Sequence, residues 1–275
     1  MLITDPAYFL PEVLATQLLS TAQNGANRPL FIRGIDDYTF AENDYVLKYR
    51  GAERMNEKAS ARELIAAFIA MTLGIHTPTP VKILVTDDFL KTVSRHSDFK
   101  QIQKSIGFNF GSLKMTPNNT IVQNQSLNLE QLHQALQIFV YDLWIQNGDR
   151  RFEKPNMFVN QGNIYIIDHE LGFGFLDMFS WLRNPTPYKL SELDAAAAKN
   201  HFFHATLKQN NTLLKLEPIF QKYALLDDFF WHQVRTFVPT EWQKENEIGD
   251  IQAHFNTIHL NSETFKEEIW TKLLK

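Results

Sequence analysis

Residues 147–173 read NGDRRFEKPNMFVNQGNIYIIDHELGF, a loop crowded with charge followed by two short apolar runs and a further acid. The runs MFVN and IYIID suit strands, and QGN between them supplies turn residues that let the two pair as a hairpin. Pairing brings the loop before the first strand and the acid after the second to the same end. Asp149, Asn156 and Asp168 therefore gather near one point. Two carboxylates and a carboxamide are hard oxygen ligands of the kind that suit Mg²⁺, which binds through one or two carboxylates together with substrate phosphates. Taken singly, each reads equally well as a turn residue bonding nearby backbone. The group of three is what points to a metal.

Working outward, LNLEQLHQALQIFVYDLWIQ (127–146) is a strong amphipathic helix leading into that loop. Further upstream, EVLATQLLSTAQ (12–23) has helical spacing, while RPLFIRGID (28–36) and DYVLKYRG (44–51) are β-rich runs joined by the polar DYTFAEN, a hairpin pattern. The stretch ASARELIAAFIAMTLGIHTPTP (59–80) repeats Leu64, Phe68 and Met71 at i, i+4 and i+7, and Gly74 followed by prolines ends the helix. VKILVT (81–86) reads as a strand, residues 87–104 as a polar segment, and GFNFGSLKM with the Asn-rich TPNNTIVQNQ as the crossing between two halves. From residue 190 onward the pattern is mainly helical, and the aromatic-rich ALLDDFFWHQV (224–234) reads as core. The order predicts an α+β chain: a small strand-rich half over 1–105, then a larger helical half over 106–275.

Composition bounds the function. With 275 residues a substantial core is available, and a formal net charge of −4 provides no global positive field for nucleic acid or an anionic membrane. Any phosphate site must be local. The absence of cysteine removes disulfides, thiolate metal sites and thiol nucleophiles together. No apolar stretch approaches the ~20 residues of a membrane span, and the N-terminus lacks a basic leader, so a soluble, cytoplasmic protein is expected.

On these residues the chain resembles the HipA-like kinases, within the wider protein-kinase-like superfamily that includes phosphatidylinositol kinases and aminoglycoside phosphotransferases. The resemblance spans about Gly25 to Phe173: a strand lysine in YVLKYRG, a helix glutamate in RELIAAFIAMTLGIHTP, then GDRRFEKPN and IIDHELGF as catalytic loop and metal motif. It implies a two-lobed kinase-like fold that binds ATP and Mg²⁺ and phosphorylates protein serine or threonine. Lys48 would hold the α/β-phosphates and pair with Glu63, Asp149 would orient or deprotonate the acceptor hydroxyl, and Asn156 and Asp168 would hold Mg²⁺. No G-x-G-x-x-G precedes Lys48, so QNGANRP (23–29), with Gly25 and Asn27 ahead of a strand, is the candidate phosphate loop. Asp149 and Asn156 are seven positions apart, against five in protein kinases, so the loop must bulge by two residues.

Each assignment has a plainer competitor. Lys48 also reads as a solvent-facing lysine. SARE fits a capping box in which Glu63 reaches back to the Ser60 amide, unless the helix starts near Asn56 and leaves Glu63 free. Arg150 fits a structural ion pair with a neighbouring acid, Lys154 either the transferred phosphate or the surface, and Glu170 a supporting place behind the metal. His201 and His204, i and i+3 on an expected helix, suit packing better than zinc. Two other functions share the fold: an ATP-binding pseudokinase that docks a partner, and a small-molecule phosphotransferase with an acidic pocket, for which Asp177, Asp227 and Asp228 are candidates.

Overall fold

Five strands close into a barrel: β1 (Glu12–Thr21), β2 (Leu30–Asp36), β3 (Glu42–Lys48), β4 (Pro80–Val85) and β5 (Gly107–Leu113), in the order β1-β2-β3-β5-β4. The computed structural model describes residues 1–22, 27–116, 126–178 and 183–275. Val13, Leu30, Ile32, Leu47, Ile83 and Val85 fill the barrel, which α2 (Asp87–Thr92) and α3 (Phe99–Gln103) close from the segment read only as polar.

Two sequence expectations are corrected here. Glu12–Thr21 is a strand and not a helix, antiparallel to β2 and parallel to β4. Its register shifts between Ala15 and Gln17 and again between Leu18 and Ser20, and each irregularity displaces the period-two alternation, so the apolar residues fall at helix-like intervals. Gly107–Leu113, read as part of the crossing, is the barrel's fifth strand, paired with β3 and β4. Its pattern is broken by Gly111, where a Cβ would lie 2.2 Å from Ile83 Cδ1, and by buried Asn109, whose amide donates to the carbonyls of Ser105 and Gly107.

Helix α1 (Glu57–Leu73) links the halves. It starts at Asn56, whose side chain accepts the Ala59 N–H at 2.9 Å, and ends at Gly74, with φ of 77°. Ser60 is therefore inside the first turn and fully buried, which removes the capping-box alternative for Glu63. Asn56→Ala is expected to cost about 1 kcal/mol in a urea titration, and Ser60→Ala markedly less. The helix is buried on nearly all sides. Its Leu64, Phe68 and Ile69 join the core of the helical half, where Tyr141 of α4 (Leu129–Trp144) donates its hydroxyl to the Ala66 carbonyl.

Behind α4 lies the hairpin of β6 (Met157–Asn160) and β7 (Asn163–Ile166), turning at Gln161 and Gly162, both with positive φ. Helices α5 (Glu192–Lys199), α6 (His204–Gln209), α7 (Glu217–Gln221), α8 (Asp228–Phe237), α9 (Glu247–Leu260) and α10 (Ser262–Ile269) complete the chain, a mixed α+β fold with a strand-rich first part and a helical second part. Among the described residues no helix is long and apolar enough to cross a membrane.

One packing detail makes stability pH-dependent. His254 of α9 stacks on Phe175 at 4.0 Å and donates Nε2–H to the Trp144 carbonyl at 2.9 Å, and burial pushes its pKa down to about 4. The folded state holds this ring neutral while the unfolded chain protonates it near 6.5, so stability falls as pH drops from 6.5 towards 4. Between pH 7 and pH 5 the loss from this residue is on the order of 2 kcal/mol, and His254→Gln should flatten that slope in urea titrations at the two pH values.

Candidate active site

Lys48 ends β3 on the face opposite barrel-filling Leu47, and so points out of the barrel towards α1. Its Nζ bonds Glu63 Oε1, Asp168 Oδ1 at 2.5 Å and Glu170 Oε2 at 3.5 Å. Burial opposes the lysine's charge, but the three carboxylates outweigh burial and raise its pKa above the ordinary value. Burial likewise works against Asp168 ionising, and Lys48 and then Lys154 overcome it and hold that carboxyl low. For Glu170 burial wins, aided by the charges of Asp168 and Glu63, and its pKa is raised. The solvent-facing alternative for Lys48 is thus removed by geometry.

Glu63 is fixed from a second side by the His169 backbone N–H, which donates to Oε1 at 2.9 Å. The oxygens of Glu63, Asp168 and Glu170 lie within 4.8 Å of one another, close enough to share a cation. With Lys48 bonded to all three, the ammonium already supplies that counter-charge.

The loop before the hairpin carries the other residues. Arg151 N–H donates to the carbonyls of Asp149 and Lys154, and Lys154 N–H returns to the Arg151 carbonyl, forming a tight turn over 151–154 that takes up the two extra positions. Asn156 Nδ2 consequently reaches Asp149 Oδ2 at 3.3 Å despite the seven-residue spacing. Lys154 Nζ bridges Asp149 Oδ2 at 2.6 Å and Asp168 Oδ2 at 3.1 Å, so Asp149, Asn156 and Asp168 do gather at one end of the hairpin. Asp168 lies two residues beyond the last strand position, Ile166, with φ of 65°, so it follows the strand through a left-handed turn.

Lys48, Glu63, Lys154, Asn156, Asp168 and Glu170 line a cleft of about 730 Å³, and Asp149 lies behind Lys154 and Asn156, bonded to both. Val46, Ala67, Pro78, Phe110, Leu113 and Met115 give it an apolar wall, and Lys48, Lys154 and Asp168 a charged end. Asn27 lines the cleft too, and its amide oxygen accepts the Arg54 N–H at 2.9 Å, while Gly25 lies outside the described residues. A family model for HipA-like kinases matches residues 15–273. The chain belongs to the HipA-like kinases. Membership points to a kinase-type phosphotransferase, and the match takes in nearly all of the barrel, the cleft and nearly all of the helical half. No curated protein matches the sequence.

This HipA-like chain also contains groups that sequence reading missed. Arg62 is buried and pairs with Asp177 through both terminal nitrogens, at 2.8 and 3.0 Å, and with Glu247 at 3.0 Å. Arg150 does form a structural ion pair, and its partner is Asp142 on α4, the lone acid in the apolar run IFVYDLWI. That acid was the available signal. His201 accompanies it, with Nε2 3.0 Å from Asp142 Oδ2, and precedes the helix that His204 begins. His204 Nε2 donates to the Leu273 carbonyl. Both histidines are spent on packing and hydrogen bonds.

Proposed function

We propose that the chain transfers the γ-phosphoryl group of ATP, with Mg²⁺, to a serine or threonine hydroxyl of a protein in the cytoplasm. The observation that carries the reading is Lys48, held by Glu63 and Asp168 at the charged end of a cleft that also has an apolar wall. An ammonium fixed in advance beside an apolar slot suits a nucleotide, whose base takes the wall and whose α/β-phosphates take the charge. Asp168 and Asn156 offer hard oxygen donors next to it, a set that fits Mg²⁺. When bound, that ion supplies neutralising charge to the β- and γ-phosphates.

The remaining work falls to side chains of this chain. Asp149 orients the acceptor hydroxyl in line with the transferred group and takes its proton on a carboxylate oxygen. Lys154, half-exposed between Asp149 and Asp168, is placed to follow charge onto the transferred phosphoryl. Asn27, which lines the cleft ahead of β2, is the described residue of the candidate phosphate loop that would approach the phosphates. The two halves are the lobes of a protein-kinase-like fold, with the nucleotide-binding lobe extending past residue 105 to include β5.

A cationic small-molecule acceptor finds less support. Asp177 is paired with Arg62, Asp227 caps α8, Asp228 accepts from Gln252, and none of the three lines the cleft. Mass spectrometry after incubation with Mg²⁺ and ATP tests the proposal: one or more added phosphates are expected on this chain or on a co-purified protein. Nucleotide bound without any phosphate transferred would leave an interaction module.

A further inference from the structure

We propose that Arg150 is a positioning residue that sets the geometry of Asn156 and Asp168, acting through the backbone carbonyls where the chain enters and leaves the hairpin; this rests on the reading of those residues as the metal-holding pair. Its side chain is fully buried, and the guanidinium is divided between two tasks. One edge is anchored to α4, Nε reaching Asp142 Oδ2 at 2.6 Å and Nη2 reaching Oδ1 at 3.4 Å. The other edge meets the hairpin, Nη1 donating to the carbonyls of Asn156 at 2.5 Å, Ile167 at 3.4 Å and Pro155 at 3.5 Å.

Those carbonyls sit beside the two functional side chains. Asn156 directly precedes β6, and Ile167 directly precedes Asp168. Asn156 and Asp168 have φ of 48° and 65°, left-handed conformations that a residue with a side chain keeps only where its surroundings impose them. The Asn156 carbonyl also accepts the Ile167 N–H at 3.0 Å, so one oxygen joins both chain segments to the guanidinium. Asp142 is itself held by His201 Nε2 at 3.0 Å and Asn147 Nδ2 at 2.9 Å, and Asn147 Oδ1 accepts the Asp149 N–H at 3.2 Å. The acid on α4 thereby governs the backbone at all three candidate functional residues.

A planar fork is required for this. Lysine keeps the charge but cannot span both Asp142 oxygens and two carbonyls at once. Arg150→Lys is therefore expected to raise the half-saturating Mn²⁺ concentration, read by electron paramagnetic resonance with a non-hydrolysable ATP analogue, by roughly 10- to 100-fold, the usual effect of losing a group that orients metal ligands. Affinity for adenosine, which needs neither phosphate nor metal, should stay within about twofold. His201→Gln, a milder loosening of Asp142, should shift Mn²⁺ in the same direction by less, and decides the matter if Arg150→Lys does not fold. Variants that melt at lower temperature yet bind Mn²⁺ like the wild type overturn the inference. A wild-type chain that binds neither adenosine nor Mn²⁺ with the analogue fails the nucleotide reading itself, and this inference falls with it.

Discussion

Lys48→Met is expected to abolish detectable phosphoryl transfer and to destabilise the folded chain. On the transfer side, losing one preorganised charge at the phosphates typically costs about 10²- to 10³-fold in rate. On the folding side, methionine fills the space but leaves Glu63, Asp168 and Glu170 within 4.8 Å of one another without the ammonium that bonds them all. Removing one partner of a buried ionic cluster typically costs about 3–5 kcal/mol. Urea denaturation of Lys48→Met should show that loss, and Lys48→Met combined with Glu63→Gln should recover part of it because one of the stranded charges is gone. A single variant as stable as the wild type would mean that the acids do not depend on Lys48.

The second large effect separates two acids that share Lys154 but otherwise have different partners. Asp168 is tied to Lys48 and Lys154, whereas Asp149 meets Lys154, Asn156 and, at 3.5 Å, Arg151 of its own loop. Asp149→Asn should keep nucleotide affinity and lose about 10²- to 10⁴-fold in transfer, the range for a displaced general base. Asp168→Asn should instead lose the Mg²⁺ dependence of nucleotide binding, because the hard anionic ligand is gone. Calorimetric titration of ATP with and without Mg²⁺, followed by single-turnover transfer, distinguishes the two. Equal losses of nucleotide binding in both variants would refute the division of roles.

What was legible in the sequence followed from local periodicity and punctuation. The β6–β7 hairpin announced itself because two apolar runs flank Gln161 and Gly162, and α1 because Gly74 and the following prolines stop it. Lys48 and Glu63 were legible as a strand lysine and a helix glutamate, and the choice between a capped and a free Glu63 turned on one residue, Asn56. The strand β1 was not legible, since two irregularities in its pairing give it a helix's spacing, nor was β5, where Gly111 and a buried Asn109 interrupt the apolar pattern. The Asp142–Arg150–His201 network was hidden for a different reason: its members meet only after α4, the loop and the approach to α6 have packed, and no local spacing encodes that. Its traces were a single acid within an apolar helix and Arg150, read as half of an ion pair whose partner the sequence did not name.

The allegiance of α1 has a mechanical consequence. Leu64, Phe68 and Ile69 share a core with α4 and the hairpin, and the Ile166 N–H donates to the His76 carbonyl just beyond the helix, whereas Leu47, next to Lys48, is packed inside the barrel. Phe110 of β5 joins the same core as α1, so Glu63 and Asp168 sit on one packed framework that Lys48 reaches from the end of β3. One ammonium on the barrel is thus tied by charge to α1 and to the residue beyond the hairpin at the same time, so a ligand that competes for Lys48 weakens both ties at once.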